Sequence, residues 1–346
     1  MRGARSIAAL ALAGAALSCG PRVSDYRKAV EEAWSFERKG QFEEAAAAAA
    51  KAAGLAEDAR DRDEALFLKA RLLVEAERYD EARAIFVELR KSAVEESMRG
   101  RAIYELGLIA LAEGNKAEAK SYFLALIAEY PDHGLCSVAL KKTMVIVKET
   151  GGEPAVRSLL SGLLGDALKS SFGDDVLWEL AKLDRKAGRL AKAESWLLMI
   201  HKAYPYPKGG AAFEYLFLLA EVKEEQGKLE EAVGWLQTVA DTTETSYLIG
   251  DYNDDAKAQA LLKMGKLYFQ KMNSPDKAYE TFMKVVKLDW ATRSDDGLWW
   301  AAQVRFAQNR GKEGCELLSK LVEKYEMSNF KRKSVKIIQG SQCTGP

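Results

Sequence analysis

The sequence predicts an all-α chain folded as a right-handed superhelical solenoid of helix-turn-helix repeats, and three observations predict it. First, small residues fall on a ruler. Ala45, Ala82, Ala119, Val156, Ala193 and Ala232 stand 37, 37, 37, 37 and 39 residues apart. Second, other phases keep the same step: turn residues at Gly40, Glu77, Gly114, Gly151, Gly188 and Gly227, and upstream Ala33, Ala70, Gly107, Met144, Ala181, Ala220 and, past an insertion, Gly265. A neighbouring phase holds Ala29, Leu66, Ile103, Leu140, Leu177, Leu216 and Leu261. Third, 48% hydrophobic and 29% charged residues with only 7 Pro in 346 suit a folded, helix-rich protein and exclude disorder.

Each repeat reads as two amphipathic helices. In the third, Ile103, Leu106, Gly107 and Ala110 recur at helical spacing, Gly114-Asn115 interrupts, and Ala119, Phe123, Leu126 and Ile127 resume. One helical pair cannot bury its apolar face alone, so neighbouring pairs must stack. Seven to eight repeats are expected over 26–329, the fourth degenerate and the eighth ambiguous in register. Residues 330–346 read as a capping helix and tail, with Val335 and Ile338 inward and Lys331, Arg332, Lys333 and Lys336 outward.

These residues resemble the tetratricopeptide repeat, whose pattern is a large residue, Leu and Gly/Ala on helix A, then Ala and an aromatic on helix B, then Pro. Repeat three supplies Ile103, Leu106, Gly107, Ala119, Phe123 and Pro131; repeat five supplies Leu177, Leu180, Ala181, Ala193, Leu197 and Pro205. The family repeat is about 34 residues, so the extra residues are expected in loops. A narrower resemblance rests on Tyr130-Pro131 and Tyr204-Pro205, which look like junctions in the outer-membrane assembly-machine lipoprotein and the periplasmic TolA partner; pilotins compete equally.

Residues 1–18 read as a signal peptide: Arg2 and Arg5, then an apolar run from Ile7 to Leu17 too short to span a bilayer. Ala16-Leu17-Ser18-Cys19 resembles a bacterial lipobox, which implies cleavage before Cys19, lipidation of that residue, and a short tether over 19–25. Gly20, where retained inner-membrane lipoproteins carry Asp, implies the outer membrane. Ordinary cleavage at the same small residues is the alternative and would leave a soluble periplasmic protein.

Chemistry is sparse. Lys+Arg and Asp+Glu balance at 51 each, so no global field draws the chain to nucleic acid. The two histidines, His133 and His201, lack metal-ligand spacing to other donors, and no phosphate-loop, dinucleotide, nucleophile-elbow or zinc-protease motif occurs. No catalytic residue, metal or cofactor is expected. Asp251, Asn253 and Asp255 mimic the start of a calcium loop, but Ala256 and Leu262 stand where Gly and Glu are needed, so the stretch reads as a turn and helix cap. Tyr247-Leu248-Ile249 beside it is expected to tuck onto the repeats, with a contact point for a partner as the alternative. Beyond Cys19 three cysteines remain, Cys136, Cys315 and Cys343. Cys315 replaces the usual Ala of a helix B and lies within possible reach of Cys343.

Function is expected on the concave face, which in the family is lined by helix A one residue past the leucine phase. Here that phase is Val30, Phe67, Tyr104, Lys141, Trp178, Phe217 and Leu262. Phe67, Tyr104, Trp178, Phe217 and Leu262 are the candidate partner groove; packing between A helices is the competing reading of the same residues. Lys182, Arg185 and Lys186 are expected to pair across repeats with Glu221, Glu224 and Glu225. The sequence therefore points to a non-enzymatic periplasmic scaffold, held to a membrane through Cys19, that binds a protein or peptide partner in envelope assembly. A soluble peptide-binding module and a helical adaptor for a separate cell-wall enzyme are the alternatives.

Overall fold

A computed structural model describes residues 24–205, 213–242, 245–246, 250–251, 254–288, 293–340 and 343. Residues 1–23, with Cys19 and the expected signal peptide, lie outside the described residues, as do Tyr247 to Ile249 and Asn253.

Helices follow one another in pairs. Repeat 1 joins α1 (Asp25–Arg38) to α2 (Phe42–Leu55), repeat 2 joins α3 (Ala59–Glu75) to α4 (Tyr79–Ser92), and repeat 3 joins α5 (Glu96–Ala112) to α6 (Lys116–Glu129). Repeat 4 is the long α7 (Cys136–Ala167), broken at Gly152. Repeats 5 and 6 are α8 (Gly173–Lys186) with α9 (Leu190–Ala203) and α10 (Glu214–Glu225) with α11 (Leu229–Asp241). A two-residue antiparallel ladder follows, β1 (Thr245–Ser246) against β2 (Gly250–Asp251). Repeat 7 is α12 (Asp254–Gln270) with α13 (Pro275–Lys287), repeat 8 is α14 (Ser294–Ala307) with α15 (Gly311–Lys324), and α16 (Lys331–Ile338) comes last. The chain forms two compact units, Met1–Leu135 with repeats 1–3 and Cys136–Pro346 with the rest.

The turns follow from backbone sterics. Within a pair, the chain reverses through one left-handed residue: Gly40 at φ 71°, Gly114 at 79°, Gly188 at 70°, Gly227 at 76°. The next N–H then closes the helix end, as in Asn115 to Ala110 O at 2.8 Å and Arg189 to Asp184 O at 2.8 Å. Glycine takes this conformation without a Cβ clash; Glu77, Asn273 and Asn309 adopt it at φ 59°, 47° and 59°. Repeat 4 departs from the ruler by one residue. Its left-handed residue is Gly152 rather than Gly151, and Thr143, not Met144, is fully buried. The Thr143 hydroxyl donates to Ala139 O at 2.8 Å, which lets a polar residue fill that position. Pro154, two residues past the break, sits where a new helix start tolerates a missing N–H.

Packing explains why the small phases exist. Ala45, Ala82, Ala119, Ala193 and Ala232 are all 0% exposed. A Cβ on Gly107 would stand 2.5 Å from Cε1 of Phe123, so helix A must be bare where the helix B ring lies against it. Gly265 against Phe282 repeats the arrangement. The leucine phase holds for Ile103, Leu140 and Leu177, but in repeat 2 the roles exchange: Leu66 is half-buried and Phe67 is buried.

At the C-terminal end, α16 buries Ser334 completely and leaves Val335, Ile337 and Ile338 half-buried, with Arg332, Lys333 and Lys336 outward. Ser334 rather than Val335 thus takes the innermost place. Cys315 and Cys343 are joined as a disulfide, their Cα atoms 5.7 Å apart, and Cys136 is a buried thiol. Asp255, the fifth position of the calcium-like run, instead accepts from Arg293 Nε at 3.2 Å and from Gln259 Nε2 at 2.7 Å. No cluster of three or more His, Cys, Asp or Glu able to hold a metal occurs among the described residues.

Candidate functional site

The expected groove residues come to rest in three different environments. Phe67 is 3% exposed; its ring meets Phe86 edge-on at 5.3 Å, and the Arg101 guanidinium covers it at 4.0 Å. Leu262 is buried at 6%. Leu262 therefore serves packing and is corrected as an open-groove residue, whereas Phe67, though packed, still lines an open cleft with residues of α1. Tyr104 is half-buried against Phe123, ring centroids 5.6 Å apart, and burial, aided by Glu105, pushes its phenol up. Trp178 and Phe217 are half-buried, with the Lys182 and Lys263 ammonium groups 5.4 and 5.2 Å from their ring centroids. Cations on helix A, of the same repeat or the next, roof rings that the sequence alone leaves bare.

The charged positions of repeats 5 to 7 satisfy one another. Arg185 reaches both Glu221 and Glu225 at 2.6 Å, as expected. Lys182 turns instead to Glu179 on its own helix at 2.8 Å, Lys186 turns back to Glu153, and Glu224 takes Lys271 at 2.7 Å. For Lys182 a partner one turn away on its own helix costs less side-chain freedom than one on the next repeat, whereas Lys186 and Glu224 pair across repeats with partners other than those expected. Glu221 also binds Lys263. Burial pushes its carboxyl up, but Lys263 and Arg185 outweigh that and hold it below the ordinary glutamate value.

Deeper charges lie three residues past the small position of helix A. Asp184 and Lys223 occupy it in repeats 5 and 6, where repeats 2 and 3 carry Leu73 and Ala110. Asp184 is 0% exposed and accepts from Arg157 Nη2 at 2.7 Å, Arg189 Nε at 2.5 Å and Trp196 Nε1 at 2.8 Å. Lys223 donates to Glu194 at 2.6 Å and Glu231 at 2.5 Å. Both tie helix A to helix B. The two histidines are likewise structural: Leu135 N–H donates to His133 Nδ1 at 3.1 Å, so Nε2 donates to Ser97 O at 3.0 Å, and His201 Nδ1 lies 3.0 Å from the Tyr215 hydroxyl.

An open site remains in the first unit, on the A helices of its repeats. A cleft of about 520 Å³ is lined from α1 by Tyr26, Arg27, Val30, Glu31 and Trp34, from α3 by Glu64, Ala65, Phe67, Leu68 and Arg71, and from α5 by Arg101. Residues 27, 30, 31 and 34 fall on one helical face. Trp34 is 46% exposed, a large ring left to solvent over a floor of Phe67 and Leu68. Tyr26 fixes the mouth by donating to Asp61 O at 3.1 Å. Arg101 is engaged, bonded to Glu64 at 3.2 Å and stacked on Phe67. Beside the cleft, burial and Glu75 push the Glu105 carboxyl up against the pull of Arg71 and Arg101. The sequence reading took one position per helix and so missed Trp34. Its signal was present: Trp34 stands one turn after Val30, which is in the predicted phase.

A tetratricopeptide-repeat family model matches residues 30–93 and 67–134, and a second matches residues 259–289. No curated protein matches the chain. Among solved structures, a tetratricopeptide repeat protein from Parabacteroides merdae is similar at 14% identity and TM-score 0.35, over 81% of this chain and 98% of that one. PilF of Pseudomonas aeruginosa is similar at 15% identity and TM-score 0.42, over 70% of this chain and 99% of its own. PilW, described as a type IV pilus biogenesis factor, is similar at 16% and 0.33, over 62% and 91%. With the left-handed turns and the contacts of Gly107 with Phe123 and Gly265 with Phe282, the matched stretches 30–134 and 259–289 are tetratricopeptide repeats.

Proposed function

We propose that this protein is a scaffold in a bacterial cell envelope, tethered through a lipid on Cys19, which captures a protein partner in the cleft of its first repeats. Helical repeats of this family support protein–protein interaction. The observation that carries the reading here is Trp34, a large aromatic exposed over an apolar floor inside a concave site. Such residues, rigid and costly to leave wet, are the usual anchors of interfaces. The openings on the later repeats, of about 450 and 380 Å³, are lined mainly by charged side chains, among them Arg185 engaged by Glu221 and Glu225, and on these repeats Trp178 and Phe217 lie under lysines. The tether is supported by Ala16-Leu17-Ser18-Cys19, and the outer membrane by Gly20.

Two measurements test this. Partners are recovered by cross-linking from envelope extract with the wild type, Trp34→Ala and Trp178→Ala. Trp34→Ala should weaken capture by about 2 kcal/mol or more while melting almost as the wild type does. Trp178→Ala should melt lower and keep its partners. Retention of every partner by Trp34→Ala sinks the cleft as the site. For the tether, Cys19→Ala should move the protein from the membrane to the soluble periplasmic fraction; a variant that still pellets with membrane refutes lipid anchoring at Cys19, and a wild type already soluble shows ordinary signal cleavage.

A further inference from the structure

We infer that the occupant of the cleft is an extended, acidic internal segment of the partner protein with one large apolar side chain: the apolar group lies against Trp34 and Leu68, and flanking carboxylates meet Arg27 and Arg71. The inference rests on the scaffold reading above and specifies its ligand.

The argument is an inventory of charge. Three guanidiniums line the cleft. Arg101 is held by Glu64 and by the Phe67 ring. Arg27 and Arg71 are exposed on the rim, and among the described residues neither has a carboxylate within ion-pairing distance. One lining carboxylate, Glu31, is also unengaged, so two available cations face one available anion. Glu105 on α5 is not among the residues that line the cleft, and burial pushes its carboxyl up against the pull of Arg71 and Arg101. Guanidiniums bind carboxylates in a planar, two-bonded geometry, which gives direction as well as attraction. A basic segment would meet the reverse: two repelling rim cations and a single carboxylate.

Placement decides the form of the ligand. Arg27 stands on α1 and Arg71 on α3, so anions are read at two separate helices rather than at one converging point. That suits side-chain carboxylates spaced along an extended segment. The volume falls within the range of ordinary ligand sites, roughly 300–1,000 Å³, enough for one large side chain with neighbours but not for a folded domain. Repeats 5 to 7 supply the contrast: their inner-face cations Arg185, Lys263 and Lys271 already meet Glu221, Glu225 and Glu224.

The test is fluorescence anisotropy on the full chain with dye-labelled peptides of about nine residues, acetylated and amidated at their ends. One carries a central Trp flanked by Asp and Glu; a second replaces the acids with Lys; a third replaces the Trp with Ala. The acidic Trp peptide should bind about tenfold or more tighter than either control, and raising salt should weaken it. Arg71→Glu, an exposed substitution checked by its thermal melt, should reduce that binding about tenfold and improve binding of the Lys peptide. Equal or better binding of the Lys peptide overturns the inference, as does unchanged affinity in the Arg27→Ala, Arg71→Ala double variant. Binding confined to a peptide with a free C-terminal carboxylate overturns the internal-segment form. If no peptide binds while envelope partners still depend on Trp34, the acidic segment is refuted and the scaffold reading stands; if partners ignore Trp34, that reading fails on its own test.

Discussion

Asp184→Asn should lower the melting temperature by roughly 5–10 °C, although the residue faces no ligand. Its carboxylate is fully buried and joins three donors: Arg157 from repeat 4, Arg189 from the turn and Trp196 from α9. Removing one member of a buried charge cluster strands the others, at a cost of about 3–5 kcal/mol when all are buried. Here Arg157 and Arg189 keep 31% and 43% of their side-chain surface in water, which lets solvent compensate part of the loss. The expected cost is therefore roughly 2–3 kcal/mol. Burial pushes the Asp184 carboxyl up, yet the bonds from Arg189, Trp196 and Arg157 prevail and leave it below the ordinary aspartate value. A carboxyl so lowered stabilises the fold fully above about pH 4, and its contribution disappears as pH falls through the folded value. Wild type and variant should differ most near neutrality and converge below about pH 4. In the Asp184→Asn background, Arg157→Met should cost less than it does alone, because the pair is already broken. Equal melting of wild type and Asp184→Asn across that range would show that the cluster contributes nothing.

What could be read in advance follows from how local each constraint is. A small residue at Ala119 or Gly107 is required by one contact, a ring or backbone of the facing helix, so the need is written at that position every 37 residues. Turn glycines are similar, since a single left-handed residue reverses the chain. Repeat 4 escaped by one residue because Gly151 and Gly152 offer two candidates and only the packing of Thr143 chooses between them. Exposure on helix A was not legible, because it depends on a side chain about 34 to 46 positions later: Arg101 over Phe67, Lys263 over Phe217. The same distance hid Asp184, whose Arg157 lies 27 residues upstream and Trp196 12 downstream. Trp34 is the opposite case. It is the one tryptophan on α1, its inner-face neighbour Val30 was in phase, and a full-face reading of helix A finds it.

Reduction of the Cys315–Cys343 bond should release the end of the chain and leave the rest of the repeats folded. The bond closes a loop with a sequence separation of 28 residues. For a loop of that size the chain-entropy account gives roughly 3–4 kcal/mol of stabilisation. Little else holds α16 in place: Ser334 is its one completely buried side chain, Val335, Ile337 and Ile338 are half-buried, and Trp299 stacks on Phe330 at 4.9 Å. Stacked repeats exchange stability mainly with their neighbours, so the loss should stay local. With reductant present, or in the Cys315→Ser, Cys343→Ser variant, amide exchange should speed up sharply in 331–338 and more weakly in α15. Protection in α8 to α11 should hold. Cys136 provides the control: it is buried at the start of α7, so Cys136→Ala should leave the reductant effect intact. Two results would refute the account: α16 exchanging at the same slow rate with and without reductant, or protection falling evenly from α7 to α15. The first would mean that the aromatic stack and the isoleucines suffice to dock the cap, and the second that the repeats of this unit unfold as one.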